Sequence, residues 1–191
     1  MQKSIGLTGG IGSGKTTIAN YLASLGIPVY IADDAGKKVM QQQEIIKAIQ
    51  QKFGSDIVEE NQLNRARLAE IVFNNPDQLK ELNAIVHPAV REDYKKWLAE
   101  HTDAPFLVYE SAILFESGSY KDFDYVITIT APLEVRVSRV LQRDDTEREQ
   151  VMKRINAQWT DDQRVSKSDF VIENIDIDLA KAEINKILKI L

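Results

Sequence analysis

The chain has 191 residues, 43% of them apolar and 28% charged, with a net charge of −5. That length suits one α/β domain with an insertion, and the acidic balance argues against nucleic acid as the main partner, because phosphate-backbone contacts need a basic surface. The absence of cysteine removes disulfides, thiolate zinc sites and cysteine nucleophiles, His87 and His101 are too few for a histidine-built metal site, and no apolar run could span a membrane or open a signal peptide.

Residues 1–7 read as a first core strand with Ile5 and Leu7 inward. The strand runs into Gly9-Gly10-Ile11-Gly12-Ser13-Gly14-Lys15-Thr16, which fits the phosphate-loop pattern G-x-x-x-x-G-K-[ST]. An amphipathic helix follows at once, with Ile18, Ala19, Leu22 and Leu25 on one face, closed by Gly26 with Pro28 beyond it. Residues 29–32 form a short buried strand ending in Asp33-Asp34.

From residue 34 to residue 100 the pattern is helical throughout. Ile45, Ile46, Ile49 and Phe53 share a face before Gly54, and Leu68, Ile71 and Val72 follow. Asn75-Pro76 opens a helix carrying Leu79, Leu82 and Ile85, and His87-Pro88 opens another carrying Val90, Tyr94, Trp97 and Leu98. So much helix between two strands exceeds one crossover and implies a second lobe.

Strand character returns at residues 106–110, ending in Glu110, and at residues 125–129. Pro132 opens the next helix, and Thr146 with Glu149 forms a capping box for another, bearing Val151 and Ile155. Residues 170–172 are a last short strand, and Ile184, Ile187, Leu188 and Leu191 line a closing helix. The alternation predicts a parallel sheet covered on both faces. Ligands then gather at the carboxyl ends of the strands, the edge that carries the loop, Asp33 and Glu110.

The glycines of the loop let backbone N–H groups turn around a phosphate, and the helix N-terminus adds its partial positive charge. The nucleotide-binding set is therefore Gly9, Gly10, Ile11, Gly12, Ser13, Gly14, Lys15, Thr16 and Thr17. Lys15 reaches the β- and γ-phosphates, and the Thr16 hydroxyl serves Mg²⁺. Asp33 either accepts a proton from an attacking hydroxyl or holds water on Mg²⁺, while Asp34 caps the helix behind it. Glu110 is either a metal-organising acid, acting through water, or a strand-end carboxylate facing solvent, and Glu116 is a weaker candidate of the same kind.

Arg136, Arg139 and Arg143 lie on the helix after Pro132, and Arg139 and Arg143, four apart, share a face. They are either a solvated salt-bridged surface or a lid that brings guanidinium groups onto transferring phosphates, with Arg139 and Arg143 the choices for that task. His87, before Pro88, is most simply a turn or cap at a helix start. Trp159 either packs beside the lid helices or meets a base.

Asp33-Asp34-Ala35-Gly36 matches D-x-x-G of a GTPase switch, but no N-K-x-D for guanine and no L-S-G-G-Q transporter signature accompanies it. A small ATP-dependent kinase with a helical acceptor lobe and an arginine-bearing lid remains.

Nearly the whole chain resembles the dephospho-coenzyme A kinase family. The resemblance rests on L-T-G-G-I-G-S-G-K-T from Leu7, A-D at Ala32-Asp33, H-P at His87-Pro88 and I-L-F-E from Ile113. Q-R-D from Gln142, R-I-x-A-Q from Arg154 and S-D-F-V-I-E-N from Ser168 extend it. It implies an α/β P-loop kinase-like three-layer fold: a five-stranded parallel sheet with helices on both faces, a helical insertion lobe and a helical lid. The implied division is a nucleotide-binding core at 1–34, 102–133 and 168–191, an acceptor lobe at 35–101 and a lid at 134–167.

The implied reaction moves the γ-phosphate of ATP, with Mg²⁺, to the ribose 3′-hydroxyl of dephospho-coenzyme A, in the cytoplasm. By the same resemblance Asp33 faces the acceptor hydroxyl, Arg139 and Arg143 contact phosphates, His87 joins the acceptor lobe and Asn174 lies near the adenine. Two positions depart from the family: Glu110 stands where aspartate is usual, and Ala112 where proline is frequent. A kinase for another small acceptor and a non-catalytic nucleotide switch are the competing readings.

Overall fold

Five segments rich in Val, Ile and Leu form one parallel sheet, as their alternation with helices demands. The computed structural model describes residues 2–72 and 75–191, with the backbone of residue 73. Met1, which the sequence pattern includes in the first strand, lies outside the described residues.

In chain order the elements are β1 (Lys3–Thr8), α1 (Lys15–Ser24), β2 (Val29–Ile31), α2 (Ala32–Val39), α3 (Gln43–Phe53), β3 (Val58–Glu59), β4 (Gln62–Leu63), α4 (Arg65–Phe73) and α5 (Pro76–Ala99). They continue with β5 (Phe106–Glu110), β6 (Tyr125–Thr130), α6 (Leu133–Arg143), α7 (Arg148–Asn156), α8 (Asp161–Val165), β7 (Phe170–Glu173) and α9 (Ile177–Ile190). The sheet order is β2-β5-β1-β6-β7, so β1 lies at its centre and the strand order reverses there. The crevice beyond the carboxyl end of β1 is thus the favoured ligand position.

The chain divides into two compact units, one of Met1–Ile31 with His101–Leu191, the other of Ala32–Glu100. In the first, side chains alternate between the two faces of the sheet. Ile5, Leu7, Val108, Ile127 and Ile129 pack against Ile18 and Leu22 of α1 and Ile184 of α9. On the other face Gly6 approaches Leu114 and Phe123, which cluster with Phe115 and Val126. Burying each large side chain of this core is worth about 1.5–3 kcal/mol.

The helix α1 ends as its sequence predicts. Gly26 takes φ 80°, its N–H reaches the Ala23 carbonyl at 3.0 Å, and the Ile27 N–H reaches Leu22 at 3.2 Å. Leu25 is the C-cap residue and 48% exposed, so it does not share the buried face expected for it.

In the second unit α2, α3 and α4 all pack on α5. Residues 34–100 are not helical throughout: β3 and β4 pair antiparallel across a turn at Glu60 and Asn61, whose φ angles are 48° and 63°. Nor does His87-Pro88 open a helix. α5 runs 24 residues without interruption from its cap Asn75, whose side chain accepts from the Asp77 and Gln78 N–H groups at 3.1 and 3.3 Å. Pro88 lies inside it, exposed, and His87 is half-buried beside it. Packing by three helices offsets the hydrogen bond that the proline removes.

The capping box also falls elsewhere. Thr160 and Gln163 form one at α8, with bonds of 2.8 and 3.2 Å, whereas the cap of α7 is Glu147 and makes no side-chain bond. Among the described residues no helix is long and apolar enough to cross a membrane.

Candidate active site

β1 delivers the chain into the loop from the middle of the sheet, and α1 leaves it at Lys15. Gly14, the N-cap of α1, sits at φ 88°, and a Cβ there would lie 2.0 Å from Asn174 Nδ2. Gly12, at φ 80°, presses on the backbone of Arg136, whose carbonyl would be 2.4 Å from an added Cβ. Neither position accepts a side chain without displacing its neighbour. α1 has no acidic residue in its first turn and no side-chain cap, so no side chain competes with an anionic ligand for the positive end of its dipole.

Lys15 and Glu110 form an ion pair, with side chains only 11% and 2% exposed. Strand parity explains the meeting. Glu110 lies on the same face of β5 as Val108, the face that α1 covers, and its register partner on β1 is Leu7. A buried carboxylate must be paired, and the loop lysine is its partner here.

The Ser13 carbonyl is held from the segment that follows the edge strand β7. Asn174, buried just after β7, donates to it at 2.8 Å, and Arg139 reaches it at 3.5 Å while donating to the Ile175 carbonyl at 3.2 Å. Asn174 therefore braces the loop, whatever else it contacts. Arg143 does not join this group. Its guanidinium bonds the carboxylate of Asp144 at 2.8 and 3.2 Å on the surface, and Arg154 reaches the same carboxylate at 3.1 Å. Hydrogen bonding from Arg143, then its charge, holds the Asp144 carboxyl below its ordinary value, and the same bond raises Arg143.

In the second unit Asp33 and Asp34 both lie in the first turn of α2, where carboxylates complement the helix dipole. Asp34 pairs with Lys37 at 2.8 Å from within the helix and is not its cap. His87 is half-buried inside α5, and that partial burial, with Arg91 adding to it, lowers its pKa from 6.5.

Sequence reasoning gave no place at the loop backbone to two residues that the structure brings there, Arg136 and Gln158. Arg136, 5% exposed, donates through Nε to the Ile11 carbonyl at 2.9 Å and through NH1 to Asp161 at 2.7 Å. Gln158 accepts from the Ile11 N–H at 2.9 Å. Glu116 pairs with the buried Arg164 at 3.2 Å and accepts from the Trp159 N–H at 3.0 Å. Trp159 itself stacks on Phe115, with centroids 5.7 Å apart and planes 3° off parallel, against the cluster of Leu114 and Val126 rather than beside the lid helices. The one available signal for Arg136 was its place next to the buried Val137 on the same apolar stripe.

The donor set fits Mg²⁺. The exposed Thr16 hydroxyl and the Glu110 carboxylate offer hard oxygen atoms of the kind that Mg²⁺ takes. Among the described residues no group of three or more acids or histidines could hold a metal alone. An ion taking one or two protein oxygens and the rest from phosphate and water matches the habit of Mg²⁺.

The dephospho-CoA kinase family model matches residues 3–178. A dephospho-CoA kinase of Fusobacterium nucleatum is 39% identical over 171 residues, covering 89% of this chain and 88% of its own. One of Bacteroides fragilis is 37% identical over 175 residues, covering 91% and 85%. The crystal structure of TT1252 from Thermus thermophilus superposes with a TM-score of 0.90 at 34% identity, over 100% of this chain and 98% of that one. With the loop, the sheet order and these relatives in agreement, the chain belongs to the dephospho-CoA kinase family.

Proposed function

We infer that this chain transfers the γ-phosphate of ATP to the 3′-hydroxyl of dephospho-coenzyme A, giving coenzyme A and ADP, the last step of coenzyme A synthesis. The observation that carries the reading is the loop: an uncapped α1 terminus, two glycines that admit no side chain, and Lys15 at its start, in a chain that matches this family over residues 3–178. A cytoplasmic location goes with that substrate pair.

The loop N–H groups and the α1 terminus hold the β- and γ-phosphates, and Lys15 leaves Glu110 for the phosphate oxygens. Arg139, already beside the loop at Ser13, adds positive charge as the leaving oxygen gains negative charge. Arg143 is assigned the same task when it exchanges Asp144 for phosphate. Asp33, two residues beyond the last residue of β2, orients the acceptor hydroxyl and takes its proton. His87 is assigned to the acceptor lobe at 35–101, and residues 134–167 to the lid. Mg²⁺, held by Thr16 and through water by Glu110, would supply charge neutralisation between the phosphates.

The test is ADP release with ATP and Mg²⁺, comparing dephospho-coenzyme A, adenosine, AMP and no acceptor. Stimulation by dephospho-coenzyme A alone, with a mass gain of one phosphate, supports the reading. Stimulation by another acceptor moves the substrate. Tight ATP binding with no stimulation at all points to a nucleotide switch.

A further inference from the structure

Both backbone polar groups of Ile11, in the loop, are taken by side chains. Its N–H donates to Gln158 and its carbonyl accepts from Arg136, both at 2.9 Å. The glycines on either side of Ile11 also close on Arg136: an added Cβ would be 2.4 Å from its guanidinium at Gly10 and 2.4 Å from its carbonyl at Gly12. One buried arginine thus holds the Ile11 carbonyl and limits the space at the glycines on either side of it.

Arg136 is fixed in turn. Its NH1 donates to one oxygen of Asp161 at 2.7 Å, and the other oxygen accepts from Arg164 at 3.2 Å. Arg164, with no exposed surface, donates to Glu116 at 3.2 Å, and the same Glu116 oxygen accepts from the Trp159 N–H. Two guanidiniums and two carboxylates alternate from the loop to the segment after β5. Arg164 Nε and Glu116 Oε2 are buried without a hydrogen-bond partner, so the array is an expensive way to fill space. Apolar packing would serve stability better, and what an alternating array adds is a fixed direction at each link.

We propose that Arg136 and Gln158 are positioning residues for nucleotide binding, and that Glu116, through Arg164 and Asp161, fixes the Arg136 guanidinium against the loop without touching it. Glu116 is then a holder of loop shape and not a metal-organising acid. The loop backbone then enters the encounter already held in one shape, so binding loses less to ordering. This rests on the loop being the nucleotide site.

The experiment measures ADP affinity by calorimetry, the KM values for ATP and dephospho-coenzyme A, kcat and Tm for the unaltered protein and for Gln158→Met, Glu116→Gln and Arg136→Lys. Gln158→Met, which removes one acceptor at a half-buried position, is expected to weaken ADP binding and raise KM for ATP about tenfold. KM for dephospho-coenzyme A should move less than about threefold, and Tm should stay within a few degrees. Glu116→Gln should act in the same direction, less strongly, though it contacts no loop atom. Arg136→Lys should exceed both, because a lysine cannot span Ile11 and Asp161 together. If Arg136→Lys does not fold, the other two variants decide. Folded Gln158→Met and Glu116→Gln proteins with unchanged ADP affinity would overturn the proposal, as would a Glu116→Gln protein that loses stability alone. Failure of the unaltered protein to bind ADP would instead remove the nucleotide reading of the loop.

Discussion

Around the loop the backbone is gripped by buried or half-buried polar side chains from distant segments: Asn174 at Ser13, Arg136 and Gln158 at Ile11, and Arg164 behind them. In residues 32–100 the arrangement is reversed. Val39, Ile46, Ile49, Leu68, Val72, Leu82 and Val90 fill the space between helices, and ion pairs such as Lys52–Glu81, at 2.8 Å with both partners about half exposed, lie at the surface. Apolar packing fixes a volume and accepts like-sized substitutes, whereas a directed polar contact fixes an angle and does not. The first unit is therefore expected to be intolerant at a few polar and glycine positions, and the second to tolerate changes at most positions outside its apolar interior.

The widest separation should appear in turnover. Lys15→Ala is expected to lower kcat by about 10²- to 10³-fold, the range for losing one preorganised charge at the transferring phosphate. Asp33→Asn should keep ATP affinity and lower turnover by about 10²-fold or more, in the range of general-base loss. Near-normal kcat in either variant, read by ADP release, would remove its assigned role. Ile49→Ala sharpens the contrast from the other side. It should cost about 2–5 kcal/mol in denaturant unfolding while leaving KM for ATP unchanged below the transition. A large rise in KM for ATP would show that the two regions are not separable in this way.

Next comes Pro88→Ala. Restoring the N–H inside α5 should raise stability by about 1 kcal/mol or more, seen as a higher Tm, and a lower Tm would show that the ring itself is packed.

A smaller effect is expected from pH. Burial lowers the pKa of His87 in the folded state from 6.5, so the unfolded chain binds the proton more readily. Stability should then be unaffected by His87 well above pH 6.5 and should fall as pH drops through 6.5 toward the folded value. His87→Gln should flatten that part of the Tm profile. An unchanged slope would mean that other groups dominate it.

The smallest effect should come from Glu134→Gln. It breaks an exposed pair with Arg148 at 2.6 Å, and Tm should not move measurably.

Much of this was legible in the sequence, for reasons that differ by element. The loop could be read because its glycines, lysine and threonine have fixed spacing, and the core strands because five apolar runs alternate with helical periods. β3 and β4 could not, since two residues each are too few to show a period and their turn uses Glu60 and Asn61 at positive φ where glycine would have signalled it. α5 was divided at His87-Pro88 because local rules favour a break there, and only packing on α2, α3 and α4 overrides them. Thr146–Glu149 and Thr160–Gln163 fit the same capping pattern, and tertiary context chose the second. The arginines near the loop divide similarly. Arg139 lies beside Ser13, and Arg136 reads as either surface or lid until Asp161, 25 residues on, is seen to pair with it.

The most direct test of the central claim is where the phosphate goes. Phosphorus NMR of a reaction containing ATP, Mg²⁺ and dephospho-coenzyme A should show one new phosphate monoester coupled to the ribose H3′, appearing in step with ADP. ATP consumption that yields inorganic phosphate, or a monoester at any other position, would contradict it.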